Sequence, residues 1–168
     1  MLGTGLRIGE ALALTWDDAN LENGTLRVNK TQVEFRDPDD PDAKTEIRYA
    51  APKTRASNRT IPLLPEVARL LAALPAGSGL LFHRSGRGLL SGEIRRNLRT
   101  ITKQMGVEGF TPHGLRHTFA TRGFENGVEL RVMQEILGHA NINVTARIYT
   151  HVRDERKRDE IMKMRGML

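Results

Sequence analysis

The sequence predicts an α+β domain, mainly helical, with a small antiparallel three-stranded sheet in its N-terminal third. Three observations carry that expectation. Asn23-Gly24 is a strong turn signal, and the stretch 25–33 behind it reads as a strand. Two further short extended stretches follow, near 46–50 and 58–62. From Pro65 onward the reading is helical. The 168 residues show no internal repeat and no dividing linker, so 1–168 is read as one domain with a core of ordinary size.

Each element has a local reason. Leu6, Ile8, Ala11, Leu12 and Leu14 fall at helical spacing over residues 6–14. Asp37-Pro38-Asp39-Asp40-Pro41-Asp42 cannot pair in a sheet and reads as an exposed acidic loop. A basic turn, Lys53-Thr54-Arg55-Ala56-Ser57-Asn58-Arg59, is expected to join the strands near 46–50 and 58–62. Helices are expected over 65–74, 91–105, 112–125, 129–137, 142–149 and 153–164, with a brief extended Leu80-Leu81-Phe82. Thr111 is placed to accept from the first free amides of its helix, and Pro112 suits the first helical position. Gly138 is the expected left-handed residue at a helix end, aiming His139 out of the helix.

Composition narrows the function classes. There are 26 Lys+Arg against 20 Asp+Glu, a net charge of +6 that suits a polyanionic partner and that many other soluble proteins also reach. The absence of cysteine excludes disulfides, thiolate metal sites and cysteine nucleophiles. No signal peptide and no bilayer-length apolar run is found, so a soluble cytoplasmic protein with no membrane partner is expected. A reactive-looking arginine stands within seven residues of Met1, ahead of any helix or strand able to hold it. A chain truncated from a longer protein at its N-terminus is expected on that ground.

The chemistry sits in an ordered set of polar residues. His113 and Arg116 lie three apart on the first turns of a helix, where free N–H groups favour an anion. A guanidinium there offers a planar fork for two phosphate oxygens; the alternative is a local cap and a surface ion pair. Arg7 and Glu10 are also three apart, with Arg7 reaching the same anion and Glu10 fixing it from behind. Their alternative is an ordinary surface pair contributing under about 1 kcal/mol. Lys53 at a hairpin tip is placed to enter a DNA groove and deliver a proton, or else stays solvated. Arg55 and Arg59 beside it point to phosphate contact. His139 is either a phosphate donor or structural. Tyr149 closes the helix after it and needs cations around it to attack as a phenolate; Tyr49, the other tyrosine, reads as a packing residue.

From Thr4 to about Val152 this set resembles the catalytic domain of the tyrosine recombinases, the phage integrase family. The motifs are Thr4-Gly5-Leu6-Arg7-Ile8-Gly9-Glu10, the run Lys53 to Leu63, His113-Gly114-Leu115-Arg116-His117-Thr118, Leu137-Gly138-His139, Tyr149, and Tyr149-Thr150-His151. The resemblance implies catalytic roles for Arg7, Lys53, His113, Arg116, His139 and Tyr149, with Glu10 in support and Arg55, Arg59, Thr111 and His117 at the DNA. It implies attack by Tyr149 on a DNA phosphate, giving a 3′-phosphotyrosyl link and a free 5′-hydroxyl. Arg7 and Arg116 would hold the non-bridging oxygens, Lys53 would protonate the leaving oxygen, His113 would assist the nucleophile, and His139 would donate to the phosphate.

One ester replaces another of similar energy, so no cofactor, metal or ATP is expected. The partner implied is double-stranded DNA, bound by a homotetramer of the full-length protein, with no small-molecule substrate. A bacterial or phage-encoded, nucleoid-associated setting follows from the same resemblance. Family members usually carry an N-terminal core-binding domain, which this sequence does not show. Ile161, Met164 and Leu168 form one stripe suited to docking on a neighbour or on the chain's own body. Two other readings remain. Residues 127–148 loosely imitate a helix-turn-helix with Asn143, Thr145 and Arg147 as base readers, and a type IB topoisomerase shares the residue set.

Overall fold

The computed structural model describes residues 1–40, 42–52, 54–75, 77–150, 162 and 165. Lys53, His151, the helix expected over 153–164, and the stripe of Ile161, Met164 and Leu168 lie outside the described residues, as does the side chain of Arg55. The fold is α+β, as expected. Helix α1 (Ile8–Ala13) leads through a 3-10 turn at Trp16–Asp18 into strands β1 (Ala19–Asn20), β2 (Thr25–Val28), β3 (Thr31–Phe35), β4 (Glu46–Ala50) and β5 (Arg59–Pro62). Helix α2 (Pro65–Ala72), the hairpin β6 (His83–Arg84) and β7 (Arg87–Gly88), and helices α3 (Ser91–Gln104), α4 (Pro112–Glu125) and α5 (Leu130–Leu137) follow. A sixth helix, α6, covers residues 142–150.

The sheet is three-stranded and antiparallel, but its strands are not the three expected. Its order is β1-β2-β5, with Leu26 opposite Ile61 and Val28 opposite Arg59. The stretch 25–33 is broken at Asn29-Lys30. There the Lys30 ammonium turns in to pair with the buried Asp18 carboxylate and lies 3.3 Å from Thr15 Oγ1. Beyond the break, β3 pairs with β4 in a separate two-stranded sheet, Thr31 opposite Ala50 and Phe35 opposite Glu46. The basic segment after β4 is therefore not a hairpin tip. It carries the chain from one sheet to the other, through a 3-10 turn at Arg55–Ser57. Residues 80–82 make an isolated bridge, Thr15 to Leu80, with the Leu81 N–H donating to Leu14 O.

Two apolar clusters hold these pieces. Leu6, Leu14, Leu26, Val28, Ile61, Leu71 and Leu81 pack where α1 and α2 meet the three-stranded sheet. Ala120, Phe124, Met133 and Leu137 pack α4 against α5, with Phe119, Ile148 and Tyr149 at the margin. Each fully buried leucine or isoleucine contributes roughly 1.5–3 kcal/mol. Among the described residues no helix is long and apolar enough to cross a membrane.

Helix α1 packs against β3, and Gly9 lies at a close approach between them. A Cβ on Gly9 would lie 2.7 Å from Thr31 Oγ1 and 2.8 Å from the backbone oxygen of Gln32. The second neighbour is backbone and cannot swing aside. Gly9→Ala is expected to destabilise the fold by about 1–3 kcal/mol, as overpacking does. Urea unfolding followed by circular dichroism measures this, and a midpoint equal to the parent's would contradict the contact.

Candidate active site

The site is built on the end of α5. The last carbonyls of a helix lack intrahelical donors and carry the negative end of its dipole. Gly138 ends α5 in the left-handed region, φ 66°, ψ 43°, as the sequence predicts, and its N–H donates to Gln134 O at 2.9 Å. Three guanidiniums then converge on consecutive carbonyls. Arg59 Nε donates to Ile136 O at 2.7 Å, Arg116 Nη2 to Leu137 O at 2.9 Å, and Arg7 Nη2 to Gly138 O at 3.2 Å. A Cβ on Gly138 would sit 2.6 Å from Arg59 Nη1, so both the backbone angle and the close approach demand glycine.

Glu10 neutralises part of this charge from within. Its side chain is 6% exposed and takes a two-pronged fork from Arg59, Nη2 to Oε2 at 3.0 Å and Nη1 to Oε1 at 3.2 Å. Arg7 adds a third and fourth donor, Nη1 to Oε1 at 2.8 Å and its own backbone N–H to Oε2 at 2.9 Å. Burial pushes the Glu10 carboxyl upward, but Arg59 first and Arg7 next outweigh it and hold it below the ordinary carboxylate value. Arg7 is thus fixed from behind, at the N-cap of α1 rather than within it.

Arg116 is enclosed, 4% exposed, and its donors are directed. Nη1 donates to Gly5 O at 2.6 Å, while Nη2 serves Leu137 O and meets His139 Nε2 at 2.7 Å. Gly5 stands at φ 65°, where a Cβ would strike Phe119 and Leu137, so it too is fixed as glycine. Burial, then Arg7, draw the Arg116 pKa down to about 9, and it remains a cation at neutral pH. His139 is drawn down to about 4 by burial first, then by Arg116, Arg7 and Arg59. It is therefore neutral. A guanidinium only donates, so Nε2 must accept from Arg116 and the ring proton sits on Nδ1. Nδ1 lies 2.7 Å from the hydroxyl of Thr145, a fully buried residue of α6.

One open cleft beside this cluster is lined by Arg7, His113 and Arg116 from the expected set, together with Thr111. Arg95 and Arg99 line it too, from α3. Sequence reasoning missed both, although their spacing of four puts them on one helical face. Thr111 caps α4 as expected, Oγ1 accepting from Gly114 N at 2.9 Å. His113 is exposed at the cleft. His117 lines a different groove with Thr121, Arg122 and Arg147, so it does not join the cluster. Arg59, expected at a phosphate, is instead taken up by Glu10 and Ile136 O, its side chain 7% exposed. Tyr149 is half-buried, its ring edge-on to Phe124 at 5.2 Å in the cluster that includes Leu137. Thr145 is fully buried, which removes it as a base reader and leaves the helix-turn-helix reading without its central contact.

The phage integrase family model matches residues 1–156, and the chain belongs to that family. It is 35% identical over 95% of its length to a XerC-like tyrosine recombinase of Caldanaerobacter subterraneus subsp. tengcongensis. It is 36% identical over 92% of its length to the tyrosine recombinase XerD of Lacticaseibacillus casei. These alignments take in 46% and 49% of the relatives, so the chain spans about half the length of the curated relatives it matches. Among solved structures it resembles the Tn1549 transposon integrase in complex with circular intermediate DNA, TM-score 0.76 and 28% identity, over 97% of this chain and 57% of that one. It likewise resembles the XerA recombinase, TM-score 0.71 and 28% identity, over 98% and 54%.

Glu10 gives the cluster an acid limit. Its carboxyl is depressed in the folded chain, so its contribution is full above pH 4.5 and is lost as pH falls through the lower folded value. Glu10→Gln is expected to flatten the acid limb of a stability–pH curve. Glu10→Ala, which leaves Arg59 buried beside an empty space, is expected to cost about 3–5 kcal/mol at neutral pH. Chemical denaturation between pH 3 and 7 reads both, and an unchanged acid limb in Glu10→Gln would contradict the assignment.

Proposed function

We propose that this chain is the catalytic domain of a site-specific DNA recombinase, cutting and rejoining strands through a covalent link between Tyr149 and a DNA 3′-phosphate. The observation that carries the reading is the gathering of Arg7, Arg116 and neutral His139 by direct bonds at the end of α5, beside a cleft that adds Arg95, Arg99 and His113. Several cations against one internal carboxylate leave a site short of negative charge. A phosphodiester supplies it. Family membership supports the same chemistry, and the Tn1549 integrase it resembles was solved with DNA.

In this reading the phosphate enters the cleft and its non-bridging oxygens take donors from Arg7 and Arg116, which Glu10 and the α5 carbonyls already hold in place. The charge that builds on phosphorus during displacement then meets donors that need no rearrangement of their backbone supports. The Tyr149 oxygen attacks phosphorus, its proton leaving with help from His113, and the P–O5′ bond breaks. Lys53 delivers the proton to the departing 5′-oxygen. Reversal with a second 5′-hydroxyl restores the tyrosine and completes strand transfer. Arg95 and Arg99 hold flanking phosphates. Double-stranded DNA is the proposed partner, and the full-length protein is proposed to act as a homotetramer on it.

Nicked duplexes that trap a covalent intermediate test the chemistry, with adduct scored after denaturation. Tyr149→Phe keeps the edge contact with Phe124 and removes only the hydroxyl, so it is expected to give no adduct from a folded protein. Arg116→Lys loses the planar fork and is expected to lower adduct yield by about 10²–10³-fold. An equal adduct from Tyr149→Phe would remove Tyr149 from its role. Arg95→Ala with Arg99→Ala is expected to weaken DNA binding and to flatten the log–log salt slope by about 0.9 for each phosphate set free. A gel-shift salt series measures it, and an unchanged slope would take these arginines off the DNA.

A further inference from the structure

The imidazole of His139 has a second neighbour that the reaction scheme does not use. Thr145 projects from α6 into complete burial, and its hydroxyl is 2.7 Å from Nδ1. On the other side of the ring, Arg116 Nη2 is 2.7 Å from Nε2. The two contacts are not equivalent. Arginine has only donors to offer, whereas a threonine hydroxyl both donates and accepts. The Nε2 lone pair is therefore engaged by Arg116, and the ring's one proton lies on Nδ1, donated to Thr145 Oγ1.

We propose that Thr145 is a positioning residue that accepts the Nδ1 proton of His139 and holds it there when an anion takes Arg116 away, so that any further proton is taken up at Nε2, the nitrogen that faces Arg116. When an anion draws Arg116 Nη2 onto itself, Nε2 loses its donor. With Nδ1 already occupied, Nε2 binds a proton from solvent and donates it to the anion. The balance is simple. One proton enters per anion bound, no other covalent bond changes, the Arg116–His139 hydrogen bond is exchanged for one from each group to the anion, and the ring goes from neutral imidazole to imidazolium. The charged groups facing the ring are Arg116 of α4, Arg7 and Glu10 at α1, and Arg59 of β5. Three of these four oppose the added proton until an anion is present. Gln134 of α5 holds the backbone beneath, its Nε2 donating to His139 O at 2.9 Å. The inference rests on the recombinase reading only for the anion's natural identity, a DNA phosphate.

The test uses the whole chain, ring-labelled with nitrogen-15 at histidine, and inorganic sulfate, whose charge is constant near neutrality. Without sulfate at pH 7, His139 is expected to show a protonated Nδ1 and a bare Nε2. Saturating sulfate is expected to shift Nε2 to its protonated position. Sulfate affinity should rise as pH falls, by up to about tenfold per pH unit between the free and bound pKa values of the ring. Thr145→Val keeps the shape and removes the acceptor of Nδ1–H; Arg116 still sets the free tautomer, so the variant should instead lose the protonated Nε2 form at saturating sulfate, and Thr145→Ser should restore it. A bare Nδ1 in the parent chain overturns the proposal, and needs no variant to fold. So does a folded Thr145→Val that takes up the Nε2 proton with sulfate as readily as the parent, or sulfate binding that ignores pH. None of these outcomes bears on whether Tyr149 forms a DNA adduct.

Discussion

The end of α5 is the constraint on which the site depends. Three successive carbonyls, those of Ile136, Leu137 and Gly138, each hold a different arginine, and those arginines come from β5, α4 and the start of α1. Guanidiniums repel one another, and burial makes the repulsion worse. A helix C-terminus offsets this with partial negative charge that needs no titratable group. Glu10 supplies the one full negative charge among these groups, and it is shared between Arg59 and Arg7. The arrangement leaves the cations fixed in direction and under-neutralised in charge.

That imbalance links structure to chemistry. Arg116 and His139 both have depressed pKa values for the same leading reason, burial, with neighbouring guanidiniums adding to it. Each is a poor host for positive charge until an anion stands beside it. In the proposed reaction an entering phosphate would relieve both at once, so that its binding site and its charge stabiliser would be the same object. The backbone carbonyls that hold Arg7 and Arg116 are in place without a ligand, so the proposed reaction would need no rearrangement of those supports.

Much of this is legible in the sequence. The helices expected over 65–74, 91–105, 112–125, 129–137 and 142–149, the Thr111 cap, and the left-handed Gly138 follow from local rules, and each is found in place. The motif residues Arg7, Glu10, Arg116 and His139 stand out by type and spacing, and direct contacts join them. What local rules do not carry is partner choice across distance. Alternation marks 25–33 as extended, but the inward turn of Lys30 to Asp18 splits it between two sheets. Arg59 reads as a surface cation because its sequence neighbours are basic; the buried carboxylate that claims it is 49 residues away. Thr145 looks like any helical threonine until the imidazole facing it is known.

The same contacts set an order of events during synthesis. Arg7 meets Gly138 across 131 residues, Arg116 meets Gly5 across 111, and Arg59 meets Ile136 across 77. Closures of that length are slow to form, and the two that end on α5 and its cap cannot form until that helix has left the ribosome. A nascent chain that has emerged only as far as α4 carries Arg7, Arg59 and Arg116 as cations with no common target. The cluster of cations therefore assembles abruptly once α5 and its Gly138 cap are available, and a nascent chain that stops short of them carries the same charges unassembled.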